Sequence, residues 1–329
     1  MSLPLRINGH QALSAGPHRI HFVLLPPTTM TVLKVLALLL SASPLLASAE
    51  CTRESLIAAR DAFFKGAPAK PEKLAANVKV ALNNKPTPLD STPYSKIHTS
   101  TWTALQAQAV DTEMCEIATF KVSSQQILST RLKLDAAGKI SETEFQQAVQ
   151  GDQSFRPTGF PKTTPPMFNE KQRPAAPPTI PADFTPAMGM FDKTASINKA
   201  TCKALSGAPR LWTRKELLYA ASSYCDGLKG APYDSCVFAG SSCPRTENGV
   251  TTTQNCAKGI GKFGFTVRGR RWTVDTETGV ILGVFYFDYG PGSNLFLHEY
   301  FKVQAGSLAY ILALLKNIPH AQASLKTFS

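Results

Sequence analysis

Several signatures of well-known chemistry are missing from this sequence of 329 residues. It has no Gly-x-Ser-x-Gly, His-Glu-x-x-His or Walker motif, so serine hydrolase, zinc protease and phosphate-loop functions lose their usual sequence support. No two of its seven cysteines have Cys-x-x-Cys spacing, and histidine is scarce at six residues. Both facts disfavour a zinc site. We therefore expect no metal and no cofactor.

Long apolar runs are also rare, and one short run near the start stands out. It begins at Met30, contains a lysine, is interrupted by serine and proline, and ends in the small residues Ala47-Ser48-Ala49. A run of this length is too short to span a bilayer comfortably, and its ending is typical of a cleavage site. We predict a signal peptide over residues 30–49, preceded by an unstructured extension over residues 1–29. A membrane anchor is the alternative.

The charge of the chain is mildly basic once this leader is removed. Loss of Arg6, Arg19 and Lys34 leaves 32 basic and 23 acidic residues, a formal charge of +9. The basic residues are scattered apart from a cluster at 268–271, so we expect no nucleic-acid partner. We expect a secreted, extracellular protein without membrane contact after cleavage. Adhesion to acidic polysaccharide stays open, and the oligomeric state is unknown.

All seven cysteines follow the predicted cleavage site, and in an oxidising compartment they should pair. Cys51 and Cys115 precede the proline-rich stretch and are predicted to form one bridge. Cys243 and Cys256 bracket a polar loop and are predicted to form a second. One more bridge is expected among the three that cannot be assigned from sequence, which are Cys202, Cys225 and Cys236.

Proline divides the mature chain into two halves. Nine prolines fall within residues 157–186, a composition that excludes a helix or a central strand and favours an extended, exposed connector. A glycosylated stalk is the alternative. The predicted segments are a first α+β unit, a connector, a second α+β unit and a tail, over residues 50–155, 156–209, 210–320 and 321–329.

The two halves share an order of local signals. Each opens with an amphipathic helix, capped by Thr52 in the first half and by a Thr213–Glu216 capping box in the second. Strands follow, with alternating apolar residues around turn signals. The predicted hairpin turns are at residues 135–138, 275–279 and 305–306. This shared order indicates two related α+β units in tandem.

Several short motifs carry a resemblance to a known group. They are Cys51-Thr-Arg-Glu, Val110-Asp111-Thr112, Gly151-Asp152, Cys243-Pro-Arg245-Thr-Glu247-Asn-Gly249, Arg270-Arg271-Trp, Asp275-Thr-Glu-Thr-Gly279 and Val284-Phe285. On these motifs the chain resembles uncharacterised secreted fungal proteins, over about residues 50–155 and 210–318. It departs from them in its longer connector and its extra cysteines.

The order of helix and strands is similar to the cone-shaped fold of nuclear transport factor 2 and the SnoaL-like cyclases. That resemblance implies an α+β fold of tandem cone-like units, each an amphipathic helix packed on a curved antiparallel sheet. Because this fold houses cyclases, dehydratases, isomerases and non-catalytic binders, the resemblance implies an architecture and a pocket between helix and sheet, and it leaves the chemistry open.

Two candidate catalytic residues lie in the first half. Asp111 follows a strand and has the chemistry of a general base, and His98 is a partner with a suitable pKa. The alternative for Asp111 is an aspartate that caps a turn, and for His98 a surface histidine.

Two more candidates lie in the second half. Arg245 is a candidate clamp for a substrate carboxylate, with Glu247 as acid or base. The alternative is an ion pair between them that orders the loop. Arg271 and Asp275 are predicted to pair with each other. His298 and Glu299 are adjacent on a strand, so only one of them can enter a pocket.

These signals support three functional hypotheses. The first is a secreted protein that binds a small organic ligand. The second is a cofactor-free lyase, isomerase or cyclase acting on a small organic substrate. The third is an extracellular effector or cell-wall-associated protein that acts through its basic surface.

Overall fold

The computed structural model describes a large part of the chain after residue 50. The described residues are 51–67, 71–99, 102, 105–160, 166–182, 184–186, 200–201, 205–229, 233–238, 242–258, 260, 263, 265–323, 325 and 328. The predicted extension and signal peptide, Cys202 and the side chain of His98 lie outside the described part.

The first half contains one long helix and six strands that form one sheet. The elements are α1 (Arg53–Gly66), β1 (Leu74–Leu82), β2 (Lys85–Pro86), β3 (Ala107–Asp111), β4 (Glu116–Val122), β5 (Gln126–Leu134) and β6 (Ile140–Val149). The connector adds α2 (Pro166–Asn169) and β7 (Ala200–Thr201).

The described part of the second half contains two helices and seven strands, six of which form a second sheet. The elements are α3 (Arg214–Lys229), β8 (Tyr233–Asp234), β9 (Arg245–Glu247), β10 (Val250–Thr253), β11 (Thr266–Asp275), β12 (Val280–Asp288), β13 (Ser293–Gln304), β14 (Ser307–Pro319) and α4 (His320–Ala323). Short 3-10 helices span Leu89–Ser91, Pro93–Thr99, Pro157–Gly159 and Ser235–Phe238.

The predicted helix starts are present. The Thr52 hydroxyl accepts a hydrogen bond from the Ser55 amide, as an N-cap should. At the start of α3 the Glu216 carboxylate accepts hydrogen bonds from the amide and the hydroxyl of Thr213, which confirms the link between these two residues that the capping box predicts. The three predicted hairpins also form, between β5 and β6, β11 and β12, and β13 and β14.

The two six-stranded sheets have the same strand order. The orders are β2-β1-β6-β5-β4-β3 and β10-β9-β14-β13-β12-β11. In each sheet the strand that comes first along the chain pairs in parallel with the one that comes last, β1 with β6 and β9 with β14, and the other neighbours are antiparallel. The α+β class is therefore as predicted, whereas the expected purely antiparallel sheets each contain one parallel pair.

Apolar side chains divide the molecule into four layers, helix, sheet, sheet and helix. Helix α1 packs on one face of the first sheet through Leu56 and Phe63. Helix α3 packs in the same way on the second sheet through Leu217 and Tyr224. The remaining faces of the two sheets pack against each other, with Phe120 meeting Tyr300 edge to face at 5.7 Å between ring centroids. Each sheet is thus covered on both faces.

The described parts of the connector are anchored to the core. Phe160 and Phe168 are buried in the cluster between the two sheets, and Phe184 is buried beside α3. The expectation of an exposed connector is wrong for these residues. Proline excludes regular pairing there, but burial of three phenylalanines stabilises the ordered path by roughly 1.5–3 kcal/mol for each ring.

The predicted disulfides are present. Cys51 bonds Cys115 and ties the start of α1 to the turn after β3, and Cys243 bonds Cys256. Cys236 is also disulfide-bonded, whereas Cys225 is a free thiol, fully buried in α3. Burial raises the pKa of the Cys225 thiol, so this cysteine should resist oxidation and alkylation in the folded protein.

Two reciprocal ion pairs join the halves. Arg214, at the start of α3, donates to both oxygens of Asp111 at 2.6 and 2.7 Å. Arg53, at the start of α1, donates to both oxygens of Asp275 at 2.9 Å. The helix of each half is thereby bound to the end of the third strand in the other half's sheet.

A backbone amide of each half also donates a hydrogen bond to the aspartate of the other half. The amide of Val274 donates to Asp111 at 2.8 Å, and the amide of Val110 donates to Asp275 at 3.2 Å. Both aspartates stand in the same local sequence, Val-Asp-Thr-Glu, and both arginines follow a threonine that begins a helix. The repeat in sequence therefore matches a repeat in contacts.

We predict that removing the buried carboxylate of Asp275 strongly destabilises the fold. Asp275→Asn should lower the free energy of unfolding by about 3 kcal/mol, because it leaves Arg53 without its carboxylate in a partly buried setting. Burial raises the pKa of Asp111 despite its bonds to Arg214, so Asp111→Asn should cost less than Asp275→Asn. Asp288→Asn, which breaks the exposed pair with Arg268, is the matched control and should cost less than about 1 kcal/mol. Urea unfolding measures all three, and equal losses would contradict a special role for the reciprocal pairs.

Candidate functional site

A pocket of about 340 Å³ opens between α3 and the second sheet. Its walls are largely apolar and aromatic, and they are formed by Leu228, Phe263, Phe265, Phe287, Tyr289, Leu295 and Leu315. Phe265 stacks on Phe287 at 4.2 Å and meets Tyr289 at 5.0 Å, between ring centroids. Phe263 and Tyr289 are exposed, at 41% and 56%. The pocket thus presents aromatic surface to solvent.

The inner end of the pocket is polar. Arg245 and Glu247 on β9 both line it and form an ion pair at 2.9 Å. Tyr224 of α3 also lines it, with its ring 5.6 Å from the Arg245 guanidinium. Lys258 is exposed at the border of the pocket. Apolar and aromatic walls bind the planar apolar part of a small ligand, and the polar end of the pocket orients the ligand.

A second carboxyl group lies behind this polar end. Glu299 on β13 is completely buried, with an oxygen 3.5 Å from the Arg245 Nε atom. Neither of its carboxylate oxygens, nor the Tyr224 hydroxyl, has a hydrogen bond of good geometry. Burial raises the pKa of Glu299 to about 7, although Arg245 acts in the opposite direction. This carboxyl group therefore changes charge near neutral pH.

At the matched positions that the structure describes, the first half has apolar residues in place of this polar end. The two halves can be aligned from the turns that follow their Val-Asp-Thr-Glu segments. In this alignment the cross-strand pair Thr130–Phe145 of the first half corresponds to the pair Glu299–Ala313 of the second half. Phe145 is fully buried and packs against Phe63 at 6.3 Å between ring centroids. Phenylalanine thus stands in the first half where the second half has Ala313, which is completely buried between Glu247 and Glu299 of the neighbouring strands.

The other matched positions are apolar in the first half and polar in the second half. Val80 and Leu82 on β1 take the places of Arg245 and Glu247, and Phe63 takes the place of Tyr224, since each lies eleven residues after its capping threonine. Two further hollows do border α1. Their charged lining residues are exposed to solvent, namely Lys65, Glu72, Lys73 and Lys139.

The structure separates Asp111 from Arg245 and Glu247, which are three of the four predicted catalytic residues. Arg245 and Glu247 lie together in the pocket, as an ion pair on a strand. Asp111 lies between the halves, bound to Arg214 and to the Met114 amide, which matches the turn-capping alternative. The side chain of His98 is outside the described part of the chain.

The predicted pair between Arg271 and Asp275 is wrong. Both residues lie on β11, about 13 Å apart along the strand at 3.3 Å per residue, and each finds its partner in the first half. Arg271 donates to Glu144 at 2.7 and 2.8 Å, and Asp275 accepts from Arg53.

His298 and Glu299 do face opposite ways. His298 points between the sheets, where its Nδ1 atom is 2.8 Å from the Ser129 hydroxyl and its Nε2 atom is 3.9 Å from Glu144. This row has the composition of a serine hydrolase triad, but all three side chains are completely buried. A substrate therefore cannot reach the serine, and the row serves the interface between the halves.

The sequence left open whether His298 or Glu299 enters a pocket, and it did not indicate Tyr224 as a pocket residue. A signal was present, because an acid within the apolar run of β13 must find a partner or a cavity. Its choice of face depends on the strand register, which the local pattern did not supply.

Residues 210–315 match a family model described as a domain of unknown function (DUF8021). The match covers about a third of the chain and coincides with α3, the second sheet and the pocket. No curated protein matches the chain. The predicted similarity to proteins of unknown function is thus confirmed for the second half, and the match assigns no activity.

We predict opposite pH effects from two buried glutamates. Ionised Glu299 is costly, so Glu299→Gln should raise the free energy of unfolding by about 1–3 kcal/mol at pH 8.5. At pH 5 both forms are neutral in the folded state and the gain should nearly vanish. The wild-type contribution is thus present at low pH and lost as pH rises through about 7.

Glu144 is the matched control of opposite sign. Burial raises the pKa of Glu144, but Arg271 and His298 outweigh it and hold the pKa below its usual range. Glu144→Gln should therefore destabilise by about 3 kcal/mol above pH 5, and the loss should shrink as pH falls. Urea unfolding at several pH values measures both variants. A Glu299→Gln gain that did not depend on pH would contradict the assignment.

Proposed function

We propose that this chain is a secreted protein that binds a small organic ligand in the pocket of its second half. The observation that carries the proposal is the contrast at matched positions, where Tyr224, Arg245 and Glu247 line a pocket and the first half has Phe63, Val80 and Leu82. A buried, charged cluster is costly to stability, so its presence on the helix-facing side of only one of the two similar sheets favours a binding role.

We further propose that the halves are tandem cone-like units related to nuclear transport factor 2 and the SnoaL-like proteins, and that the chain is similar to secreted fungal proteins. The identical strand order and the helix over each sheet support the first proposal. In this interpretation the first unit serves as a structural partner, and the second holds the ligand.

Two observations support secretion. The chain has disulfides at Cys51–Cys115 and Cys243–Cys256, which persist in oxidising compartments. Among the described residues, no helix is long and apolar enough to cross a membrane.

A cofactor-free lyase, isomerase or cyclase is the second candidate. The observation in its favour is the carboxyl group of Glu299, whose pKa of about 7 suits proton transfer at neutral pH. Glu299 lies behind Arg245 and Tyr224, so turnover requires that these side chains admit the substrate. In this candidate function Glu299 or Glu247 is the acid or base, in place of Asp111 and His98.

The test compares the wild-type protein with a variant whose pocket is filled. Thr252 is an exposed residue that lines the pocket, so we expect Thr252→Trp to fill the pocket from its rim, to keep the circular dichroism spectrum and to abolish ligand binding. A library of planar organic fragments is screened by thermal shift on both proteins. Fragments should raise the melting temperature of the wild type and leave that of the variant unchanged. Equal shifts, or no stabilising fragment, would overturn the proposal.

A further inference from the structure

Arg245 lies between two carboxyl groups of different exposure. Its ion pair with Glu247 faces the pocket, whereas its Nε atom faces Glu299 on the buried side and has no hydrogen bond of good geometry. The guanidinium offers more donors than these contacts use, since its five N–H groups can serve two carboxylates at once.

The charge at the inner end of the pocket depends on Glu299. When its carboxyl is ionised, two negative charges surround Arg245, and when it is neutral the pair with Glu247 is balanced. Two other titratable groups of α3 act on this cluster, Tyr224 and Cys225, and burial raises the pKa of both, so both are neutral near pH 7. Asp226 of α3 and Arg270 of β11 form a buried ion pair with each other at 2.7 Å.

We propose that the ligand carries a carboxylate that binds Arg245, and that this binding requires a neutral Glu299, so that ligand uptake is coupled to uptake of one proton. The inference rests on the proposed function, because it names the ligand class and the regulation of the same pocket. The apolar walls and the exposed Phe263 and Tyr289 place the planar part of the ligand toward solvent, and the polar end receives its acid group.

The sign of the pH effect follows from the burial of Glu299. Its raised pKa, about 7, leaves the group neutral in mildly acidic solution, where a ligand carboxylate meets Arg245 and the exposed Lys258 without a second buried anion. Above neutral pH the ionised Glu299 repels the ligand carboxylate and competes with it for the Arg245 guanidinium. Affinity for an anion should therefore fall as pH rises.

The experiment uses 2-naphthoate as the anionic probe and 2-naphthamide as a neutral probe of the same shape. Binding to the full chain is measured by titration calorimetry between pH 5.5 and 8.5. The competent fraction of the protein falls with the neutral fraction of Glu299, so the affinity for naphthoate should decrease by about 30-fold over this range. The affinity for naphthamide should change by less than about twofold.

Variants separate the two parts of the inference. Glu299→Gln mimics the neutral carboxyl group, so it should keep the affinity seen at pH 5.5 and lose the pH dependence. Glu113→Gln removes a carboxylate that is 68% exposed and should leave the pH dependence unchanged. Arg245→Met should lose naphthoate binding at all pH values and retain naphthamide binding.

Each outcome decides between the proposals. The proton-coupled carboxylate site is wrong if naphthamide binds while naphthoate binding shows no pH dependence. It is also wrong if Glu299→Gln keeps the wild-type slope of naphthoate affinity against pH. Neither result contradicts the proposed ligand pocket. If neither probe binds at any pH while other fragments distinguish the wild type from Thr252→Trp, the ligand class is wrong. If no fragment binds, the proposed function fails with it.

Discussion

The fold depends on a reciprocal exchange between its halves, in which the arginine at the start of each helix binds the aspartate at the end of the other half's third strand. Arg53 meets Asp275 and Arg214 meets Asp111, with backbone amides completing the aspartates' hydrogen bonds. These buried charges are tolerated only because each has its partner, and that requirement fixes how the two sheets face each other. The apolar contacts between the sheets then fill the space that this arrangement defines.

Local features of the fold could be predicted from the sequence, because their causes are local. Thr52 caps α1, Glu216 completes the cap of α3, and turn residues close the three hairpins. Long-range features of the fold could not be predicted from local sequence. Arg214 and Asp111 lie 103 residues apart, and neither residue shows its partner by type or spacing. The repeated Val-Asp-Thr-Glu segment was the available signal, since two copies of one motif in two similar halves imply two copies of one contact.

The candidate site was predicted only in part, for a related reason. Arg245 and Glu247 are two apart on one strand, so the periodicity of a strand places them on one face. Glu299 reaches the same place from a different strand, and only the pairing of β13 with β14 and of β14 with β9 brings it behind Arg245. The contrast between the halves depends on a further comparison, of Arg245 and Glu247 with Val80 and Leu82, which becomes visible only when the two sheets are matched strand by strand.

The exchanged ion pairs also determine what the connector is needed for. Since α1 is bound to the second sheet and α3 to the first, the halves are held by contacts that do not pass through residues 156–209. A protease that cuts within this proline-rich segment would therefore yield two fragments that stay together as a noncovalent complex. The covalent link raises the effective concentration of one half at the other during folding, and the finished interface no longer requires it.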